Sequence, residues 1–192
     1  MKKIFVIALA LLMSLNLVSC SKNKDPKGTT KELFEAIKDG DQKVLDKIYL
    51  GEEGDESIIP DLLEIVEDTE TLGDIGEVFS KSFLDFKYSI EEIEEDGDTA
   101  LAKVKITSEN WPVVLSNVSI LISAKAISMT LDGKSDKQMQ KAFKKIFNEQ
   151  REETEDVDYY LDIKLIKDDG VWKVDLSDET SALLEAISGG LA

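Results

Sequence analysis

The stretch Val157–Leu176, VDYYLDIKLIKDDGVWKVDL, decides the fold class of this chain. From Val157 to Leu165 every odd-numbered position is apolar or aromatic, and three of the four even-numbered positions are charged. A period of two residues is typical of a β-strand that buries one face. Asp168-Asp169-Gly170 then supplies residues that favour a turn, and the alternation resumes at Trp172. The stretch predicts an antiparallel hairpin that packs on a core through one face.

A second hairpin of the same kind is predicted upstream. Apolar or aromatic side chains alternate with polar ones from Leu84 to Ile90, and alternation returns from Ala100 to Ile106. Asp96-Gly97 lies between the two runs, where this pair of residues favours a hairpin turn. Lys103 and Lys105 give the later run a charged outer face, which predicts an antiparallel sheet exposed to water on one side.

Helical spacing of apolar residues precedes, interrupts and follows these strands. A first helix is expected to begin at Thr29 or Thr30, because Thr29-x-x-Glu32 fits a capping box, and to end at Gly40. Asp41 is expected to cap a second short helix. Further helices are predicted over about 57–66 and 73–82, as a pair over about 112–150, and before Gly189-Gly190. The elements predict one α+β domain over 29–188: N-terminal helices packed on a curved antiparallel sheet, an inserted helical pair and a short C-terminal helix.

Residues 110–129 fit two interpretations. Trp111-Pro112 is typical of a helix start, and Leu115, Val118 and Ile122 keep helical spacing, whereas Ser119–Ser123 also alternates like a strand. An uninterrupted run of about 17 residues is long for a strand, so we expect a helix over 112–130. Because this helix is apolar on almost every side, we expect it to be buried between other elements. A self-association surface is the alternative.

The first 20 residues, MKKIFVIALALLMSLNLVSC, have the form of a secretory signal peptide. Two lysines precede an apolar run, and small residues precede Cys20. The run is about 15 residues long, shorter than the ~20 that span a bilayer. Leu17-Val18-Ser19-Cys20 resembles the lipobox of bacterial lipoproteins. The resemblance implies a signal peptide over 1–19, acylation of the Cys20 sulfur and an extracytoplasmic position on the cell membrane or outer membrane. The polar residues after Cys20, with Pro26 and Gly28, predict a tether, so the lipidated N-terminus and tether span 20–28.

Two other segments carry a second resemblance. Glu32–Tyr49 (ELFEAIKDGDQKVLDKIY) has the form helix, Gly-Asp, helix, and Gly170–Val174 (GVWKV) closes the last hairpin. Together they resemble bacterial lipoprotein domains of unknown function with the nuclear transport factor two-like fold, a cone in which a curved sheet wraps a helix. The resemblance implies a hollow that serves relatives as a ligand pocket or active site. Its lining, or the core that fills it, would include Phe86, Tyr88, Tyr159 and Trp172.

Composition excludes several classes of site. The chain has 40 Asp and Glu against 23 Lys and Arg, and loss of residues 1–19 would leave a net charge near −19. Nucleic-acid affinity comes largely from Lys and Arg on phosphates, so no nucleic-acid partner is expected. Histidine is absent, and Cys20 is the only cysteine. Nucleophilic sites that need His or a free Cys, and zinc sites built from them, are therefore excluded.

Carboxylates remain as candidates for chemistry. Asp96-Gly97-Asp98 and Asp168-Asp169-Gly170 lack the ligand spacing and the glutamate of an EF-hand loop, so turns explain them, and we expect neither a metal nor a cofactor. Asp85, Asp158 and Asp162 fall opposite the apolar strand positions, where solvent reaches them.

Three functions fit this sequence. The first is a lipid-anchored, non-catalytic module that binds an envelope protein or a small apolar ligand and is attached to the membrane through the lipid on Cys20. The second is a cone-fold enzyme that uses Asp and Tyr for acid–base chemistry, and the third is a purely structural envelope component. We expect the module, because His and a usable Cys are missing and the strand carboxylates point outward. A carboxylate facing inward beside a Tyr would favour the enzyme.

Overall fold

A computed structural model describes residues 25–50, 82, 84–176 and 180–191 of the chain. The predicted signal peptide, Cys20 and the helix predicted over about 57–66 lie outside the described residues, as does the helix over 73–82 apart from Ser82. The described residues form an α+β structure of five helices and one open, curved sheet of four antiparallel strands.

The sheet is a meander of β1 (Lys87–Asp96), β2 (Thr99–Ser108), β3 (Val157–Asp168) and β4 (Val171–Asp175). The strands are hydrogen-bonded in chain order, and each neighbouring pair is antiparallel. Both predicted hairpins are confirmed. The first turn contains Gly97 with a φ of 64°, a left-handed conformation that glycine adopts without strain.

The first strand differs from its prediction in extent. β1 begins at Lys87, three residues after Leu84, and continues to Asp96. Its pairing with β2 shifts register between Ile90 and Glu92, where a bulge interrupts the ladder. A bulge adds one residue to one strand, so strict alternation is lost there. This is why the alternating pattern in the sequence stops at Ile90 although the strand does not.

Helix α1 (Pro26–Asp39) begins three residues before the predicted start at Thr29. Asp25 caps it, since its Oδ1 accepts a hydrogen bond from the backbone N–H of Gly28 at 2.7 Å. Pro26 fits the first turn, where a backbone N–H has no helical partner anyway. Thr29 therefore lies inside the helix and does not cap it. The predicted tether loses Pro26–Gly28, which belong to α1.

The predicted second helix is confirmed as α2 (Gln42–Ile48). Gly40 ends α1 with a φ of 64°, and Asp41 caps α2 by accepting a hydrogen bond from the N–H of Val44 at 3.3 Å. Tyr49 then forms a parallel bridge to Val174 of β4, which ties the end of α2 to the sheet.

One face of the sheet is covered by α1 and by the C-terminal helix α5 (Thr180–Ile187). The even-numbered positions of β2 and the odd-numbered positions in the second half of β3 point into this layer, as their alternation predicts. The core side chains that α1, the sheet and α5 contribute include Leu33, Phe34, Ile37, Ala102, Val104, Ile106, Ile163, Leu165, Trp172, Val174, Leu183 and Ile187.

Helix α1 runs along the sheet from one end to the other. Thr29, near its start, donates a hydrogen bond to the carbonyl of Trp172 beside the β3–β4 turn, at 3.5 Å. Glu35, near its end, accepts one from Tyr88 at the start of β1. The chain leaves the sheet after Ser108, at the end of β2 that pairs with the start of β1. The first residue of α1 and the exit after Ser108 therefore lie at opposite ends of the sheet.

The inserted helical pair consists of α3 (Trp111–Leu131) and α4 (Asp136–Glu153). The two helices follow β2 and precede β3 in the chain, and they pack on each other. We call this pair the helical hairpin. The helix expected over 112–130 is confirmed, but its expected burial is wrong. Few residues of α3 are buried, namely Trp111, Val114, Val118 and Met129. In the part of the chain that the structure describes, α3 is covered mainly by α4, and its opposite side stays exposed.

Candidate functional site

The four residues predicted to line a hollow lie on or beside a filled core. Phe86 and Trp172 are 1% and 2% exposed and belong to the core cluster, and Tyr88 and Tyr159 are half-buried against it. Phe34 of α1 packs against two of them, with its ring 6.2 Å from that of Phe86 and 4.6 Å from that of Tyr88. The layer between α1 and the sheet is therefore occupied by packed side chains at these positions.

Tyr88 has a carboxylate partner that the sequence did not reveal. Its hydroxyl donates a hydrogen bond to Glu35 Oε1 at 2.8 Å. Burial, and secondly the contact with Glu35, raises the pKa of the Tyr88 hydroxyl. The hydroxyl therefore stays protonated and serves as a donor. Glu35 itself is exposed on α1, so the pair lies at the rim of the structure and is not the inward-facing carboxylate that an enzyme would need.

Two of the three carboxylates predicted on strands lie on the wet face of the sheet as expected, and the prediction for Asp85 is wrong because this residue lies outside the strand. Asp158 and Asp162 are exposed on β3, while Asp85 precedes β1 and is not part of the sheet. Asp158 Oδ1 accepts a hydrogen bond from the Thr107 hydroxyl at 2.6 Å, and its Oδ2 lies 2.9 Å from Lys105 Nζ. The hydrogen bond from Thr107, and secondly that from Lys105, lowers the pKa of Asp158. A general base working near neutral pH would need the opposite shift.

We expect a carboxyl-detected NMR titration to give Asp158 a pKa below the ordinary Asp value of about 3.9. A pKa that folding lowers stabilises the folded state above the unfolded value, and that contribution is lost as pH falls through the folded value. Thr107→Ala should move the pKa of Asp158 back upward, because it removes the largest cause of the shift. Thr99→Ala, on the same strand, should leave it unchanged. An Asp158 that titrates near neutral pH would contradict this picture and favour an acid–base enzyme.

The acidic turns act as turns in the structure. Thr99 Oγ1 donates a hydrogen bond to the carbonyl of Asp96 at 3.0 Å, and Asp168 lies 2.7 Å from Lys173 Nζ across the β3–β4 hairpin. Within the described ranges, no three Asp, Glu, His or Cys side chains are grouped so that they would hold a metal ion.

A cleft lies where the helical hairpin joins the sheet, a region that we call the root. The cleft has a volume of about 280 Å³ and is lined by Glu109, Asn148, Arg151 and Glu152. Arg151 forms a two-pronged ion pair with Glu109, with Nε 2.7 Å from Oε2. The pairing with Glu109 is the main cause that raises the pKa of the Arg151 guanidinium. The Arg151 guanidinium therefore stays charged, and the Glu109 carboxylate balances that charge. The volume of the cleft is near the lower limit of ligand pockets, so it could hold only a small ligand.

Buried aromatic side chains pack at the root. Arg151 lies over the Trp111 ring, 5.6 Å from the centroid, and Trp111 stacks on Phe147 of α4 with the ring centroids 6.2 Å apart. Trp111 and Phe147 are each 1% exposed. The arrangement fixes the angle at which the helical hairpin leaves the sheet. The packing therefore holds α3 and α4 together at the point where they leave the sheet.

Five of the seven exposed large hydrophobic side chains in the described part of the chain lie on α3. Ile120 and Ile127 are 65% and 66% exposed, and Leu131 is 83% exposed. By length and composition alone, α3 is also the one helix of the described residues that would span a bilayer, a property that core helices of soluble proteins share. Contiguous exposed apolar patches mark interaction sites on soluble proteins. The helical hairpin is therefore the candidate interaction surface.

Comparison with known proteins gives one structural likeness. No protein-family model matches the chain, and no curated protein matches it at a significant level. Among solved structures, the chain is similar to "a putative lipoprotein (ycdA) from Bacillus subtilis" with 15% sequence identity and a TM-score of 0.36. The match covers 84% of this chain and 47% of that one, so the chain spans less than half of its length.

Proposed function

We propose that this protein is a lipid-anchored envelope protein whose folded part binds a partner on its outer surface without catalysing a reaction. The packing of Phe34, Phe86 and Tyr88 between α1 and the sheet carries this proposal. In the cone-shaped family that the sequence resembles, this layer would hold the ligand or the reacting groups. Here aromatic rings occupy it, which leaves the outer surface for recognition.

The anchor in this proposal is Cys20. It follows a leader with two lysines, a short apolar run and Leu17-Val18-Ser19. The N-cap Asp25 is five residues further along the chain, and five residues extend over at most about 17 Å. A lipid on Cys20 would therefore hold the start of α1 close to the membrane surface. With a net charge of −17 over the whole chain, the lipid has to supply the attachment, because no overall basic charge favours an anionic membrane.

Replacing Cys20 with serine should abolish lipid attachment. In cells fed a clickable fatty acid, the parent chain should become labelled and C20S should not, with a matching loss of lipid mass in mass spectrometry. The physical reason is that acylation needs the sulfur nucleophile, which a serine hydroxyl does not replace.

Ser21→Ala is the matched control, because it changes the neighbouring residue and leaves the sulfur in place. It should keep both the label and the membrane fraction. A C20S protein with unchanged mass, unchanged labelling and unchanged membrane retention would refute the anchor.

A further inference from the structure

Helix α3 carries two apolar stripes on opposite sides. The first faces α4 and contains buried or half-buried residues that recur at intervals of seven, namely Trp111 with Val118, and Leu115 with Ile122 and Met129. The second lies on the opposite side and also repeats every seven residues; its members are Val113, Asn117, Ile120, Ala124, Ile127 and Leu131. We call this second stripe the outer seam. Its large apolar members are exposed by 42% at Val113, 65% at Ile120, 66% at Ile127 and 83% at Leu131.

The spacing of the outer seam, together with the lack of charged residues on α3, indicates what covers it. Apolar residues that alternate at intervals of three and four keep one line of a helix in contact with a second helix. A helix that lies on a lipid surface can show the same spacing, so charge has to distinguish the two partners. Interfacial membrane helices carry several Lys or Arg on the polar side, whereas Lys125 is the only charged residue between Trp111 and Leu131. The pattern therefore fits a helix as the partner.

The charge distribution along the helical hairpin favours a second copy of the chain as the partner, in an antiparallel orientation. The tip of the helical hairpin, residues 125–145, contains six lysines and two aspartates, a net charge of +4 in a chain of −17. At the root, residues 149–156 contain five acidic residues and Arg151, a net charge of −4. A parallel dimer would bring two basic tips together. An antiparallel dimer places each basic tip beside the acidic root and body of the other copy.

We infer that α3 pairs with α3 of a second copy through the outer seam. The two helices run antiparallel, and the two-fold axis crosses the seam at the level of residue 122 along the helix. In this arrangement Val113 of one copy meets Leu131 of the other. The same stripe serves both copies, as a two-fold interface requires. The inference goes beyond the proposed anchoring at Cys20 and does not depend on it.

Cross-linking of the full chain in its cells tests the arrangement. Two differently tagged chains are co-expressed, one with Val113→Cys and the other with Leu131→Cys, and the cells are treated with a copper–phenanthroline oxidant. An antiparallel pair should give the mixed disulfide. It should not link two copies at the same position, because 18 residues of helix separate Leu131 from Leu131 of the other copy by about 27 Å. The parent chain, with Cys20 alone, shows whether the native cysteine contributes.

Charged variants test the seam itself. Ile120→Glu with Ile127→Glu in both tagged chains should abolish the mixed disulfide. Each glutamate would lose water inside an apolar contact, and the two copies' glutamates at position 120 would lie only about 6 Å apart along the axis. These positions are exposed, so the fold should persist, with an unchanged circular dichroism spectrum as the check. Ser119→Glu places the same charge on an exposed position of α3 away from the seam and should leave the mixed disulfide unchanged.

Every other result overturns the inference. Disulfides between identical positions without the mixed species would show a parallel dimer. If no cross-link forms, Ile127→Cys is treated with a soluble maleimide. Rapid labelling would show a free surface, and protection would show that lipid, a different protein or residues 51–81 of the same chain cover it. The two proposals can fail separately: C20S that keeps its fatty-acid label while the cross-link forms would refute the anchor alone, and C20S that loses the label while the parent chain gives no cross-link would refute the dimer alone.

Discussion

Trp172→Ala should lower the free energy of unfolding by about 3–5 kcal/mol, the usual cost of removing a large buried ring. Trp172 is 2% exposed and lies between α1 and the sheet, where Thr29 bonds to its carbonyl. The loss is a large part of the ~5–15 kcal/mol that stabilises a typical domain. Urea unfolding of the purified chain, followed by circular dichroism, measures it as a lower midpoint.

Val171→Thr is the control for Trp172→Ala. Val171 precedes Trp172 on β4, is 40% exposed, and threonine keeps its β-branched shape. The change should stay within about 0.5 kcal/mol, as surface substitutions usually do. If Trp172→Ala unfolded at the same urea concentration as the parent, the ring would not be part of the core.

Gly189→Ala should lower the free energy of unfolding by about 2–5 kcal/mol, through overpacking and left-handed strain. Gly189 follows α5 with a φ of 59°, and a Cβ at this position would lie 1.8 Å from the carbonyl oxygen of Glu109. The carbonyl oxygen is a backbone atom, and the backbone of residue 189 fixes the position of the Cβ, so neither atom can move without shifting α5 or the root. The same urea titration measures the effect.

Gly133→Ala separates the two causes. Gly133 lies in the loop between α3 and α4 with a φ of 66°, but a Cβ there meets nothing within 4 Å. It should therefore cost only the strain, about 1–2 kcal/mol. Equal losses for Gly133→Ala and Gly189→Ala would show that the contact with Glu109 does not determine the position of α5.

The periodic elements of the fold could be predicted from the sequence because their signals are local. Alternation over 157–165 and the residues of its turn defined the last hairpin, and the length of 112–130 identified α3 as a helix. The start of α1 was wrong by three residues, although Asp25-Pro26 is itself a good helix start. A capping-box pattern at Thr29 competed with it, and in the structure the side chain of Asp25 caps the helix instead.

The burial of α3 and the polar pairs could not be predicted. An apolar helix shows the same composition whether another layer covers it or not, so the sequence did not show that α4 would be its main partner among the described residues. Glu35 meets Tyr88 across 53 residues, and Arg151 meets Glu109 across 42. No periodicity connects such distant positions. The inward or outward direction of the β3 carboxylates, in contrast, follows from a period of two, and the structure agrees with it.

The way in which the helical hairpin is attached has a mechanical consequence. Ser108 and Val157 are paired across β2 and β3, so the chain enters and leaves the hairpin at one point of the sheet. A force applied to its tip would therefore act on the ends of two adjacent strands. The hydrogen bonds between β2 and β3 would then break one after another, starting beside Ser108 and Val157. The Glu109–Arg151 ion pair and the Trp111–Phe147 stack lie between the pull and the first of these bonds. Both contacts would therefore have to break before the force reaches the hydrogen bonds of the sheet.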